Sequence, residues 1–300
     1  MSVEQSLNAY EIGDELRFVE TAHGFRNIEI SNANARATLS IYGGQVLSYR
    51  PVTEDEDLLF LSASARYEAG KAIRGGIPVC WPWFGDDPEG QGRPPHGFAR
   101  NRPWAVIATE SLPVGATKVV LELVDTDETR TLWPHRFRLR IVITVGECLK
   151  LELVMQNRGE ERMTISQALH AYFRVGDVSR VRVLGLDGVP YLDKVDDFIE
   201  KIQAGALVVN DETDRIYTGV TDVLVVDDLS LGRKVCIRLV GSNTAVVWNP
   251  WAEKAAAMSD LADEEYKRMI CVEAANAGPE TVEVPAGGEY RLSAEYSVRR

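Results

Sequence analysis

The sequence predicts an all-β fold, a large antiparallel β-sandwich or barrel with few short helices. About a dozen short runs alternate apolar and polar residues with a period of two, which is typical of strands that bury one face. Turn-forming residues separate these runs, and strands do not alternate with helices as in βαβ folds. The chain also lacks a repeat of fixed period, which disfavours a propeller.

The elements follow in order. Residues 3–20 predict an opening amphipathic helix, and the period changes to two from Asn27 onward. The run ARATLSIYGGQVLSYRP alternates on both sides of Gly43–Gly44 and predicts a hairpin. Later strands are predicted by KVVLELVDT, FRLRIVITVGE, LKLELVMQN, TISQALHAYF, RVRVLGL, DVLVVDD, KVCIRLV, TAVVWN, RMICVEA, TVEVP and YRLSAEYSV. Helix is otherwise expected only near Ser62–Tyr67 and Ala255–Arg268.

Composition limits the classes of function. The 300 residues are 45% hydrophobic and 26% charged, as in an ordinary globular protein, and no low-complexity linker divides them, so we expect a single domain spanning 1–300. The net charge of −12 argues against nucleic acid and anionic membranes as partners. An anionic substrate would therefore require a local cluster of arginines.

Targeting signals and cysteine spacing indicate the cellular compartment in which a protein works. We find neither a signal peptide nor 18 uninterrupted apolar residues, so no membrane association is expected. Cys80, Cys148, Cys236 and Cys271 are scattered without CxxC spacing, which indicates reduced thiols and predicts neither a disulfide framework nor a metal site. These features favour a cytoplasmic protein.

The stretch from Ala72 to Trp104 has the composition of a long binding loop. Many prolines and glycines exclude a continuous helix or central strand, yet the stretch is rich in aromatic residues. Counted from Lys71 to Trp104, there are five basic residues against three acidic ones, which is unusual in an acidic chain. Arg74, His96 and Arg100 are its candidate site residues, although the histidine could simply cap a turn and the arginines could pair with Asp86, Asp87 or Glu89.

Glu273 is the most informative single residue. A glutamate inside the apolar run ICVEAA is costly to bury unless it is hydrogen-bonded or faces a pocket. Cys271 and Ala275 would share its face, and both are small enough for a pocket floor. The alternative is that Glu273 alternates outward into solvent or pairs with an arginine.

Two further candidates are His170 and Asp214. His170 follows a strand among aromatic and apolar residues, where it is either a hydrogen-bonded core residue or a catalyst. Asp214 lies in DETDRIY, which reads as a polar turn after a short strand.

Together these motifs resemble the aldose 1-epimerase (galactose mutarotase-like) superfamily, and most closely its hexose-6-phosphate branch. The resemblance rests on RGGIPVCWPWFG, HGFARNRPW, ALHAYFRVGD, the LDK at Leu192–Lys194, ETDRIY, VVWNPW and CVEAAN, and it leaves 1–24 as an N-terminal extension. It implies a β-sandwich of the galactose mutarotase type, a supersandwich, with an open cleft on one sheet face. It also implies a catalytic pair, His170 and Glu273, and substrate contacts from Arg74, His96, Arg100 and Asp214.

The implied reaction interconverts the α and β anomers of an aldose and requires no cofactor. Ionised Glu273 would take the C1 hydroxyl proton while protonated His170 gives one to the ring oxygen, and the neighbouring carboxylate would help His170 hold its proton to higher pH. Arg74 and Arg100 would bind a sugar phosphate, with Arg102 and Arg215 as reserves. We therefore expect glucose-6-phosphate 1-epimerase activity in a monomer.

Three alternatives stay open. They are an epimerase of unphosphorylated aldoses, a non-catalytic carbohydrate-binding protein on the same fold, and, more distantly, a glycosidase that uses two carboxylates. The last alternative requires Asp214 to point into the same cleft as Glu273.

Overall fold

The computed structural model describes residues 7–221 and 223–300 of the protein, and most of them lie in antiparallel strands. In chain order the strands are β1 (Leu16–Glu20), β2 (Arg26–Ser31), β3 (Ala35–Ser40), β4 (Gln45–Pro51), β5 (Val79–Cys80), β6 (Ala105–Leu112), β7 (Ala116–Val124), β8 (Phe137–Val145), β9 (Leu149–Asn157), β10 (Met163–Ile165), β11 (Gln167–Leu169), β12 (Tyr172–Arg174), β13 (Val181–Leu184), β14 (Pro190–Asp193), β15 (Ile199–Ile202), β16 (Leu207–Val208), β17 (Thr213–Thr218), β18 (Leu224–Asp228), β19 (Arg233–Val240), β20 (Thr244–Asn249), β21 (Met269–Asn276), β22 (Val282–Val284) and β23 (Glu289–Arg299).

Two large sheets enclose the main core. The nine-stranded sheet has the order β16-β13-β18-β19-β23-β9-β8-β7-β6. Its central strands β8 and β9 alternate strictly between buried and half-buried residues, as the period-two pattern predicts. The eight-stranded sheet has the order β15-β14-β17-β20-β21-β11-β5, with β12 also paired to β21. The predicted all-β sandwich is therefore confirmed.

Strand β21 is buried along its whole length, because both of its faces are covered. Ile270, Val272 and Ala274 point into the main core between the two sheets. The other face carries Cys271 and Ala275, which belong to smaller apolar clusters on the outside of the eight-stranded sheet. Glu273 lies between these two residues on that outer face, so the strand itself carries it away from the core.

The N-terminal strands form a separate four-stranded sheet in the order β1-β2-β3-β4. The hairpin predicted around Gly43–Gly44 is confirmed as β3 and β4. The helix predicted over 3–20 is wrong beyond a single 3₁₀ turn at Asn8–Tyr10, and residues 3–6 lie outside the described residues. Leu16 instead pairs with Ile30 in β2 and is fully buried, so cross-strand packing overrides a loose helical spacing.

Helix is confined to short segments among the described residues. These are α1 (Asp127–Leu132), α2 (Trp251–Ala257) and 3₁₀ turns at Asn8–Tyr10, Ala99–Asn101, Val178–Arg180, Lys194–Asp196 and Glu265–Arg268. None of them has the length and apolar character needed to span a bilayer. The helix predicted near Ala255–Arg268 is correct only at its two ends.

The helix predicted at Ser62–Tyr67 is wrong. The Ser62 hydroxyl and the Ala63 amide both donate to the Glu265 carboxylate, at 2.6 and 2.8 Å. The Ser62 oxygen also accepts from the Ser64 amide. These side-chain hydrogen bonds hold the backbone in an irregular turn that competes with a helix.

Candidate active site

A cleft of about 490 Å³ opens on the outer face of the eight-stranded sheet. This volume is within the range of small-molecule sites. All six predicted site residues line it, although they come from segments up to 199 positions apart in the chain. The lining consists of Arg74, Phe84, Asp86, Pro95, His96, Arg100, His170, Lys194, Val195, Phe198, Glu212, Asp214, Val246, Trp248, Lys254 and Glu273.

Glu273 is 1% exposed and lies at the floor of this cleft. Its Oε1 is 3.3 Å from Nε2 of His170, while its Oε2 is buried without a hydrogen-bond partner among the described residues. Burial raises the pKa of Glu273 well above the ordinary carboxyl value, and the nearby Asp214 raises it further. The open oxygen and the raised pKa are typical of a functional carboxyl group.

His170 lies between β11 and β12, and tight packing fixes its ring. The ring stacks on Tyr172 with centroids 4.8 Å apart and meets the edge of Trp248 at 6.1 Å. Its Nδ1 is buried and without a partner among the residues described. The ring is therefore held with Nε2 toward Glu273.

The protonation states expected for this pair require correction. Burial lowers the pKa of His170 well below its ordinary value, and Arg100 and Arg74 lower it further. We expected the Glu273 carboxylate to raise it instead. Because burial disfavours the charged form of both groups, the cleft favours neutral His170 beside protonated Glu273.

His96 is held by the turn that follows Pro95. Its backbone has a φ of +62°, and its amide donates to the Gly85 carbonyl at 2.6 Å. The next residue, Gly97, has a φ of +73°, and a Cβ there would lie 2.0 Å from the Trp81 carbonyl oxygen. Only glycine fits this position, so the sequence HG fixes the path of the loop.

The hydrogen bonding of His96 also determines its tautomer. Its Nδ1 accepts from the Gly85 amide at 3.3 Å, so the proton of the neutral ring lies on Nε2. Burial lowers the pKa of His96 well below its ordinary value, which keeps the ring neutral near pH 7. The ring packs on Phe84 and lies 5.7 Å from the His170 ring, centroid to centroid. His96 can therefore offer one hydrogen-bond donor beside His170 and Glu273.

Arg74 is fixed by two partners. Its Nη1 donates to the Tyr172 hydroxyl at 2.9 Å, and its Nε and Nη2 donate to Oδ2 of Asp260 at 3.2 and 3.0 Å. The alternative partners considered from the sequence, Asp86, Asp87 and Glu89, are wrong for this arginine. Because Tyr172 stacks on His170, Arg74 also supports the His170 ring.

Arg100 is the least neutralised cation of the cleft. Its Nη2 donates to the Pro95 carbonyl at 3.0 Å, and its buried Nε has no partner in the part of the chain that the structure describes. Among the described residues it forms no ion pair with a carboxylate. The reserve arginines do not line the cleft, since Arg102 pairs with Glu128 and Arg215 donates to Gln203 and covers Tyr191.

Asp214 lies in strand β17, so its assignment to a turn is wrong. It is largely buried and accepts from Nζ of Lys194 at 2.7 Å. Burial raises its pKa, and the lysine opposes that effect. Pairing with β20 directs the side chain into the cleft, where it can accept a hydrogen bond from a ligand.

Several residues in and around the cleft could not be assigned a role from the sequence. Lys194 belongs to the LDK motif, but its ion pair with Asp214 depends on how β14 and β17 pair. Lys254 follows the WNPW motif and pairs with Glu212 across the cleft at 2.6 Å. Asp260 is 186 positions from Arg74, and only the fold brings the two together.

Proteins of similar sequence indicate the family to which the chain belongs. A model of the aldose 1-epimerase family matches residues 26–297. A protein of Escherichia coli named "Putative glucose-6-phosphate 1-epimerase" is 38% identical over 83% of each chain, and one of the same name from Cenchrus ciliaris is 37% identical over 91% of this chain and 84% of its own.

A solved structure supports the same relationship. The crystal structure of a protein described as a putative mutarotase from Salmonella typhimurium superposes with a TM-score of 0.90 at 31% identity, covering 99% of both chains. The curated relatives and this structure agree with the family match. The chain therefore belongs to the aldose 1-epimerase family and is an isomerase of the epimerase type.

Proposed function

We propose that the protein is a hexose-6-phosphate mutarotase that interconverts the anomers of glucose 6-phosphate, with His170 and Glu273 as the catalytic pair. One observation carries the proposal. The contact between His170 Nε2 and Glu273 Oε1 lies at the floor of a sugar-sized cleft, which also holds the guanidinium of Arg100, a group without a carboxylate partner among the described residues. The names of the curated relatives support the phosphorylated substrate.

The pair supplies one acid and one base because it carries a single shared proton. Ring opening uses the form in which Glu273 is ionised and His170 is protonated. That form differs from the neutral pair by one proton transfer across the 3.3 Å contact. A bound sugar would form hydrogen bonds with both groups. These bonds would offset the loss of hydration that disfavours ionised Glu273 and protonated His170.

In ring opening, Glu273 takes the proton of the C1 hydroxyl and the C1–O5 bond breaks. The electron pair of that bond goes to O5, which receives the proton of His170. The free aldehyde then rotates about the C1–C2 bond, and ring closure on its other face uses the same two groups with their roles exchanged. The Nε2–H of His96 is a donor for the sugar or its ring oxygen, and Asp214 accepts from a sugar hydroxyl.

Arg100 is the strongest candidate for the phosphate. Of the five basic residues between Lys71 and Trp104, only Arg74 and Arg100 line the cleft. Carboxylates neutralise the other cations of the lining, since Arg74 pairs with Asp260, Lys194 with Asp214 and Lys254 with Glu212. Arg100 keeps free donors suited to phosphate oxygens.

The choice of substrate is tested by two-dimensional exchange NMR on equilibrated anomers. We expect the wild-type protein to accelerate exchange of glucose 6-phosphate much more than that of glucose. Equal or faster exchange of glucose would support the alternative of an aldose 1-epimerase for unphosphorylated sugars. Exchange at the spontaneous rate for both sugars would support a binding protein that lacks catalysis.

The catalytic pair is tested by substitution. We expect Glu273→Gln and His170→Ala each to lower the catalysed exchange rate by about 10²-fold or more, the usual scale for a positioned acid or base. Glu128→Gln, an exposed carboxyl outside the cleft, serves as the control and should leave the rate unchanged. Near-normal exchange in either variant of the pair would remove that residue from the mechanism.

A further inference from the structure

The side chain of Phe198 is large and aromatic, yet it contributes little to the packing of the protein. It lies at the rim of the cleft and is 54% exposed. Among the described residues it belongs to no apolar cluster, and its ring contacts no other ring. A large apolar side chain in this position gains little from burial in the protein itself.

The backbone at this point is strained. Asp197 and Phe198 both have left-handed conformations, with φ of +48° and +61°, in the connection between β14 and β15. For a bulky residue such as phenylalanine this conformation is a true outlier. Strain of this kind persists only where the surroundings impose it, and it is found preferentially at ligand-binding positions.

Asp193 imposes this conformation on the connection. Its carbonyl accepts from the Phe198 amide at 2.8 Å. Its carboxylate accepts from the Val195 amide and from Nζ of Lys201, at 3.2 and 2.9 Å. The turn is therefore held firmly in the arrangement that places Phe198 at the cleft.

The other aromatic rings of the lining already have partners. Phe84 packs against His96 with centroids 4.8 Å apart. Trp248 meets His170 and Tyr172 edge to face, at 6.1 and 6.0 Å. These two rings hold the site histidines, whereas the Phe198 ring is free to contact a ligand.

We propose that Phe198 packs its ring against the C–H face of the bound pyranose and thereby holds the sugar in the cleft. An aldopyranose presents C–H groups on one face, which an aromatic ring contacts favourably, whereas a neutral ring offers no donor to a phosphate. This inference rests on the proposed function, since it assumes a sugar substrate. It predicts that Phe198 contributes equally to phosphorylated and unphosphorylated sugars.

The test replaces each strained residue by glycine, which adopts a positive φ without strain. Phe198→Gly should raise KM about threefold to tenfold for glucose 6-phosphate and for glucose, with little change in kcat. Its unfolding midpoint in urea should be no lower than that of the wild type, because strain is relieved. Asp197→Gly is the matched control: it relieves similar strain, does not line the cleft, and should leave both KM values unchanged.

The outcomes separate this inference from the proposed function. Wild-type protein that turns over neither sugar contradicts the proposed function. Active wild-type protein with an unchanged KM in Phe198→Gly contradicts the stacking role alone. A lower unfolding midpoint in Phe198→Gly but not in Asp197→Gly would show that Phe198 packs for stability, and it too would overturn the inference. Phe198→Tyr, which keeps the ring, should restore the wild-type KM.

Discussion

At the scale of single residues, the arrangement around Glu273 combines two opposing requirements. Its burial excludes water from the reacting proton, but the same burial raises the pKa of Glu273 and lowers that of His170. Because both effects favour neutral groups, the pair binds its single proton over a wide range of pH. Activity should therefore depend on pH only where the pair gains a second proton or loses its last one.

This reasoning predicts the pH dependence of kcat/KM. The second proton binds His170, whose pKa is lowered, so the acid limb should lie below the ordinary histidine value of 6.5. The last proton leaves Glu273, whose pKa is raised, so the alkaline limb should lie well above the ordinary carboxyl value of 4.5. Exchange NMR between about pH 4 and pH 9 measures both limbs.

Glucose is the control substrate for this profile, because the phosphate of glucose 6-phosphate itself ionises near pH 6. An acid limb above 6.5 with both substrates would indicate that a charged partner, rather than burial, dominates the pKa of His170.

Arg100 and Arg74 should differ in what they contribute. Arg100→Ala removes a cation with free donors, so kcat/KM for glucose 6-phosphate should fall about tenfold or more while that for glucose changes little. Arg102→Ala is the matched control, since this arginine lies outside the cleft and pairs with Glu128. Equal losses for both sugars in Arg100→Ala would contradict a phosphate role.

The same comparison in Arg74→Ala has a different expected result. The arginine is held by Asp260 and supports Tyr172, which stacks on His170. From the sequence we expected Arg74 to bind the sugar phosphate, in which case its loss would affect the sugar phosphate far more than the free sugar. The geometry now leads us to expect losses for both sugars, because the catalytic ring loses part of its support.

At the scale of elements, the sequence was most informative where one face of a strand is buried. Strand β9 alternates perfectly, and its pattern predicts it correctly. The segment around Leu16 combines weak helical spacing with a short strand pattern, and only its pairing with β2 decides between them. A long-range contact also bears on the helix predicted near Ala255–Arg268. Helix α2 ends at Ala257, and the irregular chain beyond it brings Asp260 to Arg74.

The loop from Ala72 to Trp104 depends on glycine where the chain passes closest to itself. Gly97→Ala would place a methyl group 2.0 Å from the Trp81 carbonyl and strain a φ of +73°. We expect a loss of more than about 2 kcal/mol in the free energy of unfolding and a fall in exchange rate, since His96 and Arg100 flank this residue. Urea unfolding and exchange NMR measure the two effects.

Gly92→Ala provides the matched comparison for this element. Gly92 has a similar φ of +76°, but a Cβ there would meet nothing within 4 Å. Gly92→Ala should therefore lower the free energy of unfolding only by the backbone cost of a left-handed alanine, about 1–2 kcal/mol, and should retain activity. If both variants behave alike, the close approach to Trp81 does not position the site.

At the scale of the whole molecule, the sequence predicts which residues form the site, but it does not predict which residues contact and hold them. The alternation of β21 places Glu273 opposite the core, and the resemblance to the aldose 1-epimerase family identifies the residues expected beside it. Lys194 and Asp260 contribute through ion pairs that form only when separate segments meet in the fold, and Phe198 contributes through a left-handed backbone that its residue type does not predict. Such contacts leave no local pattern in the sequence.

The separation of core and cleft by one sheet also predicts that stability and activity can be changed independently. Leu151 lies in β9 of the opposite sheet and is fully buried in the main core. Leu151→Ala should lower the free energy of unfolding by about 2–5 kcal/mol, the usual cost of such a cavity. Because no residue of β9 lines the cleft, kcat/KM of the folded protein should stay within about twofold of wild type.

Glu273→Gln should show the reverse, with activity lost and the unfolding midpoint nearly unchanged. A loss of activity in Leu151→Ala comparable to that in Glu273→Gln would show that the geometry of the catalytic pair depends on core packing across the sheet.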